Sequence, residues 1–243
     1  MPDSSKPTIV LVHGAWADSS SWNAVIPTLQ AEGFTVLAPP NELRGLTGDS
    51  AYIASFLAQR TSGPVVLVGH SYGGAVITNA GLAGDVRALV YVDAFIPEEG
   101  ETVLGILEGS GSALAVADPT TVLDLAGYPG APEGAADAWL KPEVVHESFA
   151  QDLPEKERLL IAATQRPASI VANVTPSGPA AWKSIPSWAV LGTEDKVIPI
   201  DTKRRMAERA GSTVTEVEAS HVSMVSHPQA TIDAIHAAAE SIG

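Results

Sequence analysis

The chain has no cysteine, which excludes disulfide staples and thiolate chemistry at the outset. Basic residues are scarce: 14 Lys and Arg stand against 28 Asp and Glu, for a formal net charge of −14. Nucleic acid or an anionic membrane would be repelled over a Debye length of about 8 Å, so neither is an expected partner and solubility is the meaning of the charge. Long hydrophobic runs are missing as well. The first, Ile9–Val12, is far below the apolar core of a signal peptide or the roughly 20 residues that span a bilayer, and it follows a start bearing Asp3 and Lys6. A cytoplasmic protein is the expectation. There is no internal repeat, nucleotide loop, metal-ligand cluster or basic patch with interleaved aromatics, so no cofactor and no metal are expected. Oligomeric state is not readable.

What remains is a 243-residue chain of 45% hydrophobic content, long enough to bury about 70–75% of its unfolded surface in a single domain, residues 1–243. Thr8–Val12, Thr35–Ala38, Val65–Val68, Ala88–Val92, Trp188–Leu191 and Thr213–Val217 have strand character. Helical residue choice falls between and after them, over Ser20–Glu32, Ser50–Arg60, Ala75–Leu82, Thr202–Ala210 and Thr231–Ile242, with Gly33 and Gly211 where C-terminal glycines belong. Alternation of this kind predicts an α/β fold, a six-stranded, mostly parallel sheet flanked by helices. From Pro97 to Pro186 the pattern lapses into Gly, Pro, Ala and acidic residues with no convincing strand. Glu143–Phe149 and Leu153–Gln165 read as helices and Gly109–Gly134 as irregular. Trp139, Phe149 and Leu159–Ile161 give this segment something to bury. A small cap (97–186), inserted after the fourth strand of a core made by 1–96 and 187–243, is therefore expected over the C-terminal edge of the sheet, where open α/β folds bind ligands.

The third run ends in Gly69-His70-Ser71-Tyr72-Gly73-Gly74, a Gly-x-Ser-x-Gly pattern at a strand-to-helix junction. Glycines there let the chain reverse sharply and lift a serine hydroxyl clear of the backbone, which makes Ser71 a candidate nucleophile. A hydroxyl is weak at neutral pH and needs a general base, which in turn needs an orienting carboxylate. Asp195 follows the fifth run and His221 the sixth, both at the same sheet edge. Glu194, Asp201 and Asp93 are rival acids. Of the other histidines, His13 and His70 adjoin glycine-rich turns and suit loop hydrogen bonds; His146 lies in the cap, His227 precedes a proline, and His236 is inside the last helix. Donors for a developing oxyanion are expected from the amide of Tyr72, after the nucleophile, and from that of Ala15 in His13-Gly14-Ala15-Trp16. Asp18 or Ser19 suits the helix cap of that loop. Trp16, Trp139, Phe149 and Tyr72 are candidates for an apolar pocket, with a core role equally open.

These blocks, together with Val10–Trp16, Gly192–Pro199 and Ser220-His221, resemble the α/β-hydrolase superfamily, and within it the small branch of plant methylesterases and hydroxynitrile lyases. The resemblance spans nearly the whole chain and implies the triad Ser71, Asp195 and His221, with Ala15 and Tyr72 as oxyanion hole. Lyases of that branch carry a lysine directly after the catalytic histidine and a threonine in the first loop; here Val222 and Gly14 stand instead, which points to ester hydrolysis. The expected activity is a serine carboxylic ester hydrolase for small to medium neutral esters, aromatic ones included. Perhydrolysis, haloperoxidase-like turnover or C–C cleavage on the same triad, and a hydrolase-fold binding protein with little turnover, stay open.

Overall fold

A computed structural model describes residues 6–242. The first part of the chain forms β1 (Thr8–Val12), α1 (Ile26–Ala31), β2 (Val36–Leu37), α2 (Leu46–Arg60), β3 (Val65–His70), α3 (Tyr72–Ala80) and β4 (Val86–Val92). A long segment follows with α4 (Val103–Leu107), β5 (Leu123–Ala126), β6 (Asp137–Leu140), α5 (Pro142–Val144), α6 (Glu155–Thr164), β7 (Ala168–Ser169) and α7 (Ile170–Val174). The chain then returns through β8 (Ser187–Gly192), α8 (Ile200–Ala210), β9 (Thr213–Val217), α9 (Ser223–Ser226) and α10 (Pro228–Glu240).

Six strands make one sheet in the order β2-β1-β3-β4-β8-β9, with every pairing parallel. β1 and β3 are buried along their whole length, which is why both read as unbroken apolar runs rather than as alternation. α3 and α10 cover the central strands. The chain leaves β1 for β2 on one side and returns to β3 on the other. β1 and β3 therefore flank a topological switch point, and the loops leaving their C-terminal ends open a crevice there.

Glycine lets the layers close at this point. A Cβ on Gly73 would lie 2.4 Å from the Val12 carbonyl oxygen, and one on Gly74 the same distance from that of Phe95. α3 is thereby seated directly on the strand ends.

Several boundaries differ from the sequence expectation. The segment read as Ser20–Glu32 is two pieces, a 3-10 turn over Ser19–Trp22 capped by the Asp18 carboxylate and then α1, because Pro27 cannot donate the hydrogen bond that one continuous helix requires. α2 starts four residues before Ser50, where the buried Asp49 carboxylate accepts from the amides of Arg44 and Gly45. α10 starts at Pro228, a residue preorganised for the first helical position.

The larger correction is in the segment between β4 and β8. It contains a three-stranded antiparallel sheet, β5-β6-β7, where no convincing strand was expected, and β5 falls inside the stretch read as irregular. These strands have four residues or fewer, and few of those are β-branched or aromatic. Their pairing is decided by tertiary contacts, among them the ion pair of Arg44 with Asp137. α5 runs into a π-helical turn over Val145–Phe149, closed by the Ala150 amide on the Val145 carbonyl. Among the described residues, no helix is long and apolar enough to cross a membrane.

Candidate active site

Ser71 sits between β3 and α3 at φ 53°, ψ −124°, a strained conformation for a residue with a side chain. The structure brings it together with residues 124 and 150 positions further along the chain. His221 Nε2 lies 2.8 Å from Ser71 Oγ, and His221 Nδ1 lies 2.8 Å from Asp195 Oδ2. All three residues are buried. Asp195 Oδ1 accepts from the amides of Val197 and Ile198, at 2.7 and 2.9 Å, which aims Oδ2 at the imidazole. Burial by itself pushes this carboxyl up, but the charges and hydrogen bonds of His221 and Lys203 outweigh it and hold Asp195 well below the usual carboxylate range. An ionised Asp195 accepts the Nδ1 proton. That leaves the Nε2 lone pair facing the serine hydroxyl, the tautomer a general base needs.

The rival carboxylates lie elsewhere. Glu194 is exposed, and Asp201 is exposed and paired with Arg204. Asp93 is buried at the end of β4 and reaches Lys203, Gly192 and Ser223.

The loop after β1 runs beside the elbow. A Cβ on Gly14 would fall 2.6 Å from Ser71 Cβ and 2.8 Å from the His70 carbonyl oxygen, so this approach requires glycine. His13 Nε2 accepts from the Asn41 amide at 2.9 Å, so the ring proton is on Nδ1 and donates to the Gly14 carbonyl, also at 2.9 Å. In a trans peptide, holding the Gly14 carbonyl on one side turns the Ala15 amide to the other. Ala15 and Tyr72 both line the cavity at Ser71, and among the described residues neither amide donates a hydrogen bond within the protein. Free amides facing one cavity are ready to bind an anionic oxygen. His70 donates from Nε2 to the His221 carbonyl at 2.8 Å, fixing the loop that carries His221.

The cavity has a volume of about 370 Å³ and a mostly apolar wall. Trp16 is part of that wall, and its indole donates to the Ala138 carbonyl at 2.9 Å. Tyr72 borders the cavity while its hydroxyl donates to Asp49 at 2.7 Å. The other two expected pocket residues are placed differently. Phe149 is fully buried with its ring edge-on to His221, centroids 5.1 Å apart, so it backs the imidazole instead of lining the cavity. Trp139 is on β6 between the buried Ala138 and Leu140, and strand alternation turns it to the opposite face, away from Ser71. Phe95, Val103, Leu107, Leu125, Ile170 and Val174 form the wall that the sequence did not reveal. They come from α4, β5, α7 and the loop after β4, and no local pattern unites them.

Comparison with known proteins shows the family and the fold. A carbendazim hydrolyzing esterase of Nocardioides sp. is 35% identical over 111 residues, an alignment that spans 40% of this chain and 46% of that one. Methylesterase 2 of Arabidopsis thaliana, from the branch the sequence resembles, is 26% identical with 97% of each chain covered. The crystal structure of polyneuridine aldehyde esterase superposes with a TM-score of 0.77 at 21% identity, covering 96% of this chain and 98% of that one, a likeness of fold. With the model of the alpha/beta hydrolase family matching residues 9–234, the chain belongs to that family.

Proposed function

We propose that this protein is a serine hydrolase of carboxylic esters in which Ser71 is the nucleophile, His221 the general base and acid, Asp195 the orienting acid, and the Ala15 and Tyr72 amides the oxyanion hole. The hydrogen-bonded sequence from Ser71 Oγ through His221 to Asp195 carries this reading. His221 Nε2 takes the hydroxyl proton as Ser71 Oγ attacks the ester carbonyl, and the two amides receive the oxyanion. The imidazolium then protonates the departing alkoxide, leaving an acyl-serine. Water attacks that ester with its proton passing to His221, and collapse of the second tetrahedral species returns the proton to Ser71 and releases the acid.

The apolar wall supports small to medium neutral esters, aromatic ones included, as substrates. The ester-cleaving names of the relatives support the same reaction class. Residues 97–186 serve in this reading as a cap that shapes the acyl or alcohol site over a core made by 1–96 and 187–243.

A fluorophosphonate tests the proposal directly. The expected result is one covalent adduct by intact mass, absent in Ser71→Ala, together with a loss of p-nitrophenyl butyrate kcat on the order of 10⁶-fold in the same variant. Retention of turnover within tenfold in Ser71→Ala would overturn it.

A further inference from the structure

A buried cation stands behind the candidate acid. Lys203, on α8, has no solvent exposure, and its Nζ donates to Asp93 Oδ1 and to Asp195 Oδ2, each at 2.7 Å. The Asp195 oxygen it holds is the one that accepts from His221 Nδ1. Asp93 in turn accepts from the Gly192 amide at 2.6 Å and the Ser223 amide at 3.2 Å, so it links the end of β8, α8 and the loop beyond His221.

Fully buried lysine is rare, and a buried ion pair is a poor source of stability compared with apolar packing. The arrangement makes chemical sense as a charge device. Two buried carboxylates so close to one another cannot both stay ionised without a cation between them. A lone ammonium on Asp195, in contrast, would cancel the negative charge that stabilises a protonated His221. The Asp93–Lys203–Asp195 trio answers both problems, since its net charge is −1.

We propose that Lys203 and Asp93 are positioning residues that act through Asp195, keeping its carboxylate ionised and oriented while His221 faces one net negative charge. This rests on the esterase reading given above. Burial pushes Lys203 down, yet the charges and hydrogen bonds of the two carboxylates outweigh it and hold the ammonium above its ordinary value, so Lys203 stays a cation between them. Other titratable and charged groups near the trio and the imidazole are His70, bonded to the His221 carbonyl, Asp152, which accepts from the Ser220 amide, and Glu216 on β9, which is paired with Arg204 at the surface.

The test compares Asp93→Asn, Lys203→Met and the double variant. The readouts are the pH dependence of kcat/KM for p-nitrophenyl butyrate and the NMR titration of the His221 ring. Asp93→Asn leaves the trio with no net charge. Its acid limb and ring titration are expected to move to lower pH by about one pH unit, with kcat about tenfold down and KM unchanged, since neither residue touches substrate. Adding Lys203→Met to it restores a net charge of −1 and returns the titration to within a few tenths of a pH unit of wild type. Lys203→Met alone leaves two carboxylates competing for one proton and adds an ionisation above the ordinary carboxylate range.

An Asp93→Asn titration that stays put or moves upward, or a double variant as displaced as Asp93→Asn, overturns the proposal; a purely structural role predicts cumulative damage instead of return. Should Lys203→Met fail to fold, Asp93→Asn and the double variant decide the matter. The ring titration needs no turnover, so it stands or falls separately from the Ser71 test of the esterase reading.

Discussion

The parallel sheet and the segment inserted between β4 and β8 are built on different terms. β1, β3 and β4 are strands of five to seven residues packed almost without exposure, and the candidate site lies at the C-terminal edge of their sheet, with Ser71 after β3, Asp195 after β8 and His221 after β9. The insertion has strands of two to four residues and keeps large apolar side chains in solvent, with Leu159 54% and Leu160 61% exposed on α6. Its tie to the core is apolar through Leu140, Val145 and Phe149, which join the common hydrophobic cluster, and polar at the loops of the candidate site. Trp16 donates its amide to the Arg166 carbonyl, Gln151 donates to the Glu194 carbonyl, and Asp152 accepts from the Ser220 amide. At least one such contact thus reaches the loop of each of Ala15, Asp195 and His221, and the Asp195 loop has several. The candidate triad therefore sits on the more buried part, and the cavity wall beside it is drawn largely from the more exposed one.

Breaking the core side of this comparison has the largest expected effect. His221→Ala is expected to lower kcat on the order of 10⁶-fold with any ester, checked by steady-state kinetics. Gly14→Ala adds a methyl where Ser71 and the His70 carbonyl already stand, and by displacing the Ala15 amide it is expected to reduce kcat about 10²- to 10³-fold while KM stays within a few fold.

On the insertion side the expected effects are smaller and depend on the substrate. Leu107→Ala and Ile170→Ala each remove several methylenes of cavity wall, so kcat/KM for p-nitrophenyl hexanoate should fall about tenfold while acetate changes less than about twofold. Equal losses for both esters would mean that the insertion acts on the chemistry and not on fit.

Stability follows the core histidines. Burial pushes His13 and His70 below the ordinary value of 6.5, with His221 adding to the effect at His70. The unfolded chain therefore takes up protons that the native one refuses, so their contribution is present above about pH 6.5 and is lost progressively below it. Thermal unfolding should show Tm falling from pH 7 to pH 5, with a shallower slope in His70→Gln. The smallest effect is expected at the surface, where Glu216→Gln breaks the exposed pair with Arg204 and should move Tm by no more than about one degree.

Legibility in the sequence divides along the same line. β1, β3, β4 and β8 are readable because a strand buried on both faces must be largely apolar, β9 because it is rich in β-branched residues, and the elbow because a serine between glycines at a strand end has few structural explanations. β5, β6 and β7 are not readable: Leu123–Ala126 is largely exposed and Asp137–Leu140 pairs with it across an irregular connection, so neither carries a period of its own. Lys203 was hidden for a different reason. In the surface-like stretch Asp201-Thr202-Lys203-Arg204-Arg205 it looks like any solvated cation, and only the fold shows that this one of the three basic residues points inward at two carboxylates.

Local rules of burial and backbone sterics account for the sheet, for Ser71, Asp195 and His221 at strand ends, and for the glycines that permit the elbow. Tertiary structure alone decided which carboxylate meets His221, that Phe149 backs the imidazole while Trp139 turns away, and that Lys203 lies beneath the acid. Those outcomes depend on distances between residues far apart in the chain, and such distances exist only once the layers have packed.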